Sequence, residues 1–328
     1  MLRAYPAAVL VLLLAACSDQ PKPPATSQQP VVTTLPAKEG FLDVPDGRVW
    51  YRVTGTGSAT PVILLHGGPG YSSFYLRLLD SLGFDRPTIR YDQLGGGKSS
   101  RISDTLLITI PHFVAELDSV RRALGTTQVY LLGHSWGTIL AVEYYRAHAD
   151  HVAGLILGSP ALDIPEWERH AKELVKTLPD SFQQAIRRAE KSRDFAAEDY
   201  QAALGEFYNR YVWRHPVQAE LDSTLQTVNE LIYTYMQGPS EFTIIGTLKH
   251  YDAKPFLSQI HVPTLYTVGE FDEANTTTVR RFAELTPGAQ VVVISDAAHI
   301  TTWDNPAEML NAVRTFLLHA DTLRAASH

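Results

Sequence analysis

What most constrains this chain is a repeated plan: a short unbroken apolar run, then glycines or a tight turn, then a stretch with helical spacing. PVILLHGGPG, PTIRYDQLGGGKSS, TQVYLLGHSWG, HVAGLILGSP, VPTLYTVGEFD and AQVVVISDAAH all follow it. Apolar runs without polar alternation are strands covered on both faces, and such strands separated by helices form a parallel sheet. Functional groups are then expected just past the strand C-termini. Upstream, FLDVPDGRVWYRVTGTG alternates apolar and polar residues around Asp46-Gly47, the pattern of a hairpin at a sheet edge. The fold class expected is α/β, with a mostly parallel central sheet and helices on both faces. Across residues 163–255 the strand pattern stops. IPEWERHAKELVKTL, SFQQAIRRAEKS, AAEDYQAALGEFYNRYVW and LDSTLQTVNELIYTYM all carry helical spacing. This reads as a helical cap inserted into a core made of residues 41–162 and 256–328.

The 328 residues carry a formal charge of −7 and no Lys/Arg-rich run, so the electrostatic footprint that nucleic acid requires is missing. Apolar residues at 45% and charged residues at 19% fit a globular body. The first residues, MLRAYPAAVLVLLLAACSD, place one Arg before an apolar run too short to span a bilayer, ending in small residues and Cys17. LAAC resembles the lipobox of bacterial lipoproteins, which makes residues 1–17 a signal peptide and Cys17 the lipidated residue. Residues 18–40, rich in Pro, Gln, Thr and Ser, read as a flexible tether. The expected location is therefore the bacterial cell envelope, outside the cytoplasm, with the membrane engaged by a lipid anchor only. Cys17 is the single cysteine, so cysteine-based catalysis is excluded from the folded body. No His and acid cluster has ligand spacing, so neither a metal nor any other cofactor is expected.

GHSWG, Gly133 to Gly137, follows the apolar VYLL and precedes a helical stretch, the context of a G-x-S-x-G elbow. Ser135 is the candidate nucleophile. The flanking glycines have a steric reason, because side chains two positions either side of the serine would collide with neighbouring backbone. A serine hydroxyl needs a base, and the base an orienting acid, in the chain order Ser, acid, His. His299 lies just past the last apolar run and Asp272 past the one before. His66 and His134 flank glycine turns and read as loop braces. The oxyanion needs preset donors, assigned to the backbone N–H groups of Gly68 in HGGPG and of Trp136.

HGGPG, YDQLGGGKSS, GHSWGT, QGPSEFT, GEFDEAN and DAAHITTWDNP, in this order and spacing, resemble the proline iminopeptidases and the related tricorn-interacting aminopeptidase, serine peptidase family S33 of the α/β-hydrolase fold. The likeness runs from about Phe41 to Leu318. Two positions depart from the family's usual Y-D-Q-x-G-C-G-R-S loop: Gly96 stands for the Cys and Lys98 for the Arg. The resemblance implies a serine aminopeptidase that releases one N-terminal residue, proline or another small apolar residue, from short peptides with a free N-terminus. Such an enzyme must hold a protonated amine a few bonds from the scissile carbonyl, and a carboxylate beside the catalytic apparatus does this directly. Glu273 stands next to Asp272, and the resemblance assigns the amine to Glu273 together with Glu241 of QGPSEFT. Glu270 has no assigned task. Phe74, Trp136, Trp167, Tyr208 and Tyr235 are aromatic candidates for the pocket wall, none assigned singly. Two alternatives remain open from the residues alone. One is an esterase or amidase with the same triad; the other is a catalytically silent binding protein on the same fold.

Overall fold

The computed structural model describes Met1, Leu35 and residues 38–326. The described fold lies in the compact unit Thr33–His328; of the unit Met1–Val32 only Met1 is described. Cys17, the leader and most of the tether therefore lie outside the described residues.

Strands β1 (Lys38–Val44) and β2 (Gly47–Thr54) form the expected edge hairpin, with Val44 opposite Gly47. The strand begins at Lys38, inside the stretch read as tether, because its first residues pair with Val53 and Arg52. The apolar runs become β3 (Val62–Leu65), β4 (Thr88–Tyr91), β5 (Val129–His134), β6 (Val152–Gly158), β7 (Thr264–Gly269) and β8 (Gln290–Ile294). The sheet order is β1-β2-β4-β3-β5-β6-β7-β8; β2 runs antiparallel to both its neighbours, and the rest is parallel. β3 to β7 are buried throughout, as unbroken apolar runs require. β8 differs, with Gln290 exposed and Val291 to Val293 half-buried, because it closes the sheet as an edge strand.

Helices α1 (Ile110–Ala123) and α2 (Trp136–His148) precede β6, and the insertion between β6 and β7 supplies α3 (Ile164–Val175), α4 (Asp180–Ser192), α5 (Glu198–Tyr211), α6 (Gln218–Gln226) and α7 (Glu230–Met236). Short α8 (Lys254–Leu257) leads back to the sheet, followed by α9 (Thr276–Leu285), α10 (Thr301–Asp304) and α11 (Pro306–Ala326). The two ends of the insertion meet. Ile164 N–H donates to Tyr251 O at 3.0 Å and Ala253 N–H to Leu162 O at 2.8 Å, while Asp163 caps α3 and pairs with Lys254. The last helical stretch of the insertion is two helices rather than one. Asn229 interrupts it: its side chain caps α7, and its N–H donates to Gly70 O at 2.8 Å. The break thus pins the cap to the HGGPG loop.

The turn after β5 is tightly enclosed by neighbouring backbone. Ser135 sits at φ 54 and ψ −122, a strained conformation for a residue with a side chain. A Cβ at Gly133 would meet Gly137 O at 2.2 Å, and one at Gly137 would meet Leu65 O at 2.1 Å. Glycine is therefore a steric requirement on both sides. Gly137→Ala should cost about 1–3 kcal/mol through overpacking, read by calorimetry as a Tm several degrees lower. An unchanged Tm would show that the elbow relaxes freely.

Candidate active site

Each candidate group emerges past the C-terminal end of a parallel strand: Gly68 after β3, Ser135 after β5, Asp272 after β7 and His299 after β8. His299 Nδ1 lies 2.9 Å from Asp272 Oδ1, with both side chains buried. Asp272 also accepts from Ser159 Oγ at 2.6 Å, Ala274 N–H at 2.8 Å and Gly269 N–H at 3.2 Å. Burial alone would push this carboxyl up. The His299 charge and the hydrogen bonds from His299, Ser159 and Ala274 outweigh it, holding Asp272 below its ordinary range.

His134 braces these loops, as its place beside a glycine turn suggested, and it does so with Tyr75 and Ser159, which no sequence motif marked. His134 Nε2 lies 2.9 Å from the His299 carbonyl, which can only accept, so Nε2 carries the proton and Nδ1 accepts from Tyr75 OH at 2.8 Å. Tyr75 OH accepts in turn from Gly67 N–H at 2.6 Å. Burial, and then the His299 charge, push His134 down to about 3, so this tautomer stays neutral. Ser159 Oγ, 2.9 Å from the same His299 carbonyl, completes a chain from the HGGPG loop to Asp272. Ser159 lies at φ 46, a second strained serine directly behind the first. Gln93 adds a separate brace. Its N–H donates to His66 Nε2 at 3.0 Å, and its Oε1 accepts from the Trp136 indole at 2.8 Å.

Two recesses meet at Ser135 and share Gly68, Ser135 and Glu241. The first is walled by His299, Tyr71, Tyr208, Trp213 and Trp303, and the second by Trp136, Ile139, Ala161, Ile164 and Trp167. Of the aromatic candidates, Tyr208, Trp136 and Trp167 therefore line the site; Phe74 and Tyr235 do not. Trp136 opens α2, where the first N–H groups of a helix lack intrahelical acceptors.

Glu241 lies on the loop after α7, where it accepts from Tyr233 OH at 2.6 Å and Gln237 Nε2 at 3.1 Å. Burial raises it above its ordinary range despite those donors. Glu273 is wholly buried in an adjoining crevice that shares the Trp167 wall, and neither carboxyl oxygen has a hydrogen-bond partner among the described residues. Burial first, then the charges of Glu241 and Asp272, push Glu273 well above its ordinary range. Burial, and then the charges of Glu241 and Glu273, raise the Tyr71 phenol. Glu270 stands apart and accepts from Asp296 N–H at 3.1 Å.

The alpha/beta hydrolase fold family matches residues 60–306 of the chain. A proline iminopeptidase of Heyndrickxia coagulans is 42% identical over 282 residues, covering 85% of this chain and 98% of its own. The chain belongs to the proline iminopeptidase family. A second such relative, from Saccharolobus solfataricus, is 32% identical over 87% of this chain and 93% of its own. The crystal structure of proline iminopeptidase from Mycobacterium smegmatis matches with a TM-score of 0.79 and 29% identity, covering 88% of this chain and all of that one. The enzyme is thus a serine aminopeptidase of the α/β-hydrolase fold. Its two departures from the family's usual loop have visible settings. A Cβ at Gly96 would meet Tyr71 O at 2.0 Å, so a side chain here would displace the Tyr71 backbone from the cavity wall. Lys98 Nζ lies 4.5 Å over the Trp50 ring and 3.3 Å from Glu39. The WDNP stretch also gains a reason: Asp304 accepts from Ala298, Arg214 and His215 N–H groups at 2.7–2.8 Å, tying the end of the α5 region to the His299 loop.

Glu273 titrates higher in the folded chain than its ordinary value, so between the two the unfolded chain binds fewer protons and stability falls as pH rises. Glu273→Gln removes that cost. The variant should melt above the parent at any pH beyond about 5, the gap closing in stronger acid. Equal Tm values at neutral pH would mean that Glu273 is not held protonated.

Proposed function

We propose that the enzyme removes proline, or another small apolar residue, from the N-terminus of short peptides through an acyl-enzyme on Ser135. His299 takes the serine proton, and Asp272 holds the imidazole by its Nδ1–H. The backbone N–H groups of Gly68 and Trp136 receive the oxyanion. Glu241 and Glu273 share the substrate's α-ammonium, and the first residue's side chain enters the recess of Ile139, Ala161, Ile164 and Trp167. The observation that carries this reading is Glu273, a fully buried carboxyl that has no partner among the described residues, beside a cavity that no described Lys or Arg lines. Burying such a group without a counter-charge is costly, and an ammonium ion arriving with the substrate offsets that cost. Proline as the released residue is supported by the name of the relatives.

Ser135→Ala should lower turnover of proline anilides by about 10⁴-fold or more while leaving the fold intact. On the parent enzyme, N-acetylation of the substrate should abolish cleavage, and Glu241→Gln should lower kcat/KM for free amines. Equal rates on blocked and free substrates would reduce the enzyme to a general amidase. The alkaline limb of kcat/KM should follow loss of the substrate's own ammonium proton, near pH 7.7–8.0 by the usual α-amino value.

We also read residues 1–17 as a lipoprotein signal ending at Cys17, which becomes the lipidated N-terminus and anchors the enzyme in the bacterial envelope by its acyl chains. The reading is supported by the LAAC sequence, and among the described residues no helix is long and apolar enough to cross a membrane. Labelled palmitate should enter the parent protein and not Cys17→Ser; equal incorporation would refute the anchor.

A further inference from the structure

The two recesses at Ser135 are not equivalent. In acyl transfer from a peptide, the imidazole that took the serine proton gives it to the departing amine. The departing chain must therefore lie on the side that His299 reaches. Only one recess is walled by His299, so the acyl residue belongs in the other and the leaving peptide in this one.

That leaving-side recess has a distinctive chemistry. Its wall is formed by Tyr75, Trp213, Leu221, Leu225 and Trp303, and no Lys or Arg among the described residues lines it. Arg77 is bound to Glu220 at 2.8 Å, and the second oxygen of Glu220 accepts from the Trp303 indole that lines the recess. A carboxylate placed here would be desolvated without a partner, whereas an aromatic or aliphatic side chain would find apolar surface. Thr224 also lines the recess. Its hydroxyl is buried without a partner among the described residues, free to bond a peptide group of the departing chain. Leu225 is 48% exposed, so the recess reaches the surface along α6 and the chain can continue outward.

We infer that the enzyme reads the second residue as well as the first, selecting peptides whose second residue is large and apolar and carries no free carboxylate. The inference rests on the aminopeptidase reading above and narrows its substrate class.

The test measures proline release from Pro-Phe-NH2, Pro-Ala-NH2, Pro-Asp-NH2 and Pro-Phe-OH, with acetyl-Pro-Phe-NH2 as control. The expected kcat/KM for Pro-Phe-NH2 exceeds that for Pro-Ala-NH2 by about tenfold, with the two carboxylate peptides lower still. Leu225→Lys, placed at the exposed mouth, should narrow the gap between Pro-Phe-NH2 and Pro-Phe-OH by about tenfold. Rates equal within about twofold across the free peptides overturn the inference while leaving the aminopeptidase reading standing. Cleavage of the acetylated control instead overturns the amine-binding reading, and the ranking of the free peptides still decides the second-residue preference. Failure to cleave any free peptide overturns both.

Discussion

Three carboxyl groups, Asp272, Glu273 and Glu241, share one interior region with no Lys or Arg among the described residues to compensate them, and much of the site follows from how each is accommodated. Asp272 is surrounded by donors and stays ionised beside His299. Glu241 has the partial support of a phenol and an amide. Glu273 has none among the described residues and is driven toward its neutral form. Side by side in sequence, Asp272 and Glu273 thus differ in charge because one meets backbone and hydroxyl donors and the other meets carbon. A cation arriving at such a site gives Glu273 the counter-charge it otherwise lacks and favours its ionised form.

The acids would be of little use if the loops bearing the serine, the base and the glycines moved independently. They are joined below the cavity through one backbone carbonyl. The His299 oxygen meets both His134 Nε2 and Ser159 Oγ, linking the histidine loop to the ends of β5 and β6. From His134 the chain runs through Tyr75 to Gly67, so the glycine loop is aligned by the same interactions. Because His134 is held neutral, this alignment persists whatever proton His299 carries.

The cap does more than cover the site. It contributes Glu241 and the apolar wall of the leaving-side recess, and it touches the catalytic loops at chosen points. Asn229 bonds to Gly70; Tyr211 and Val212 carbonyls accept from His299 and Ile300 N–H groups; Asp304 gathers the turn after α5. A cap fixed at both the glycine loop and the histidine loop holds its part of the recess wall in place over Ser135.

The sequence by itself determined the parallel sheet, the elbow and the positions of Ser135, Asp272 and His299, because each depends on local rules: apolar runs, glycine sterics and placement past a strand end. Gly133 and Gly137 could be read as obligatory from the sharpness of the turn alone. The partners of His134, and any role for Tyr75 and Ser159, could not, since those partners lie far away in the chain and no spacing rule relates them. Nor could sequence show the break at Asn229, whose backbone bond to Gly70 overrides a helical pattern. Only the tertiary structure decided that Glu273 is fully buried and Glu270 is not, and that one recess touches His299 while the other does not. Those are questions of burial and direction, and burial is a property of the packed molecule, not of any short stretch of chain.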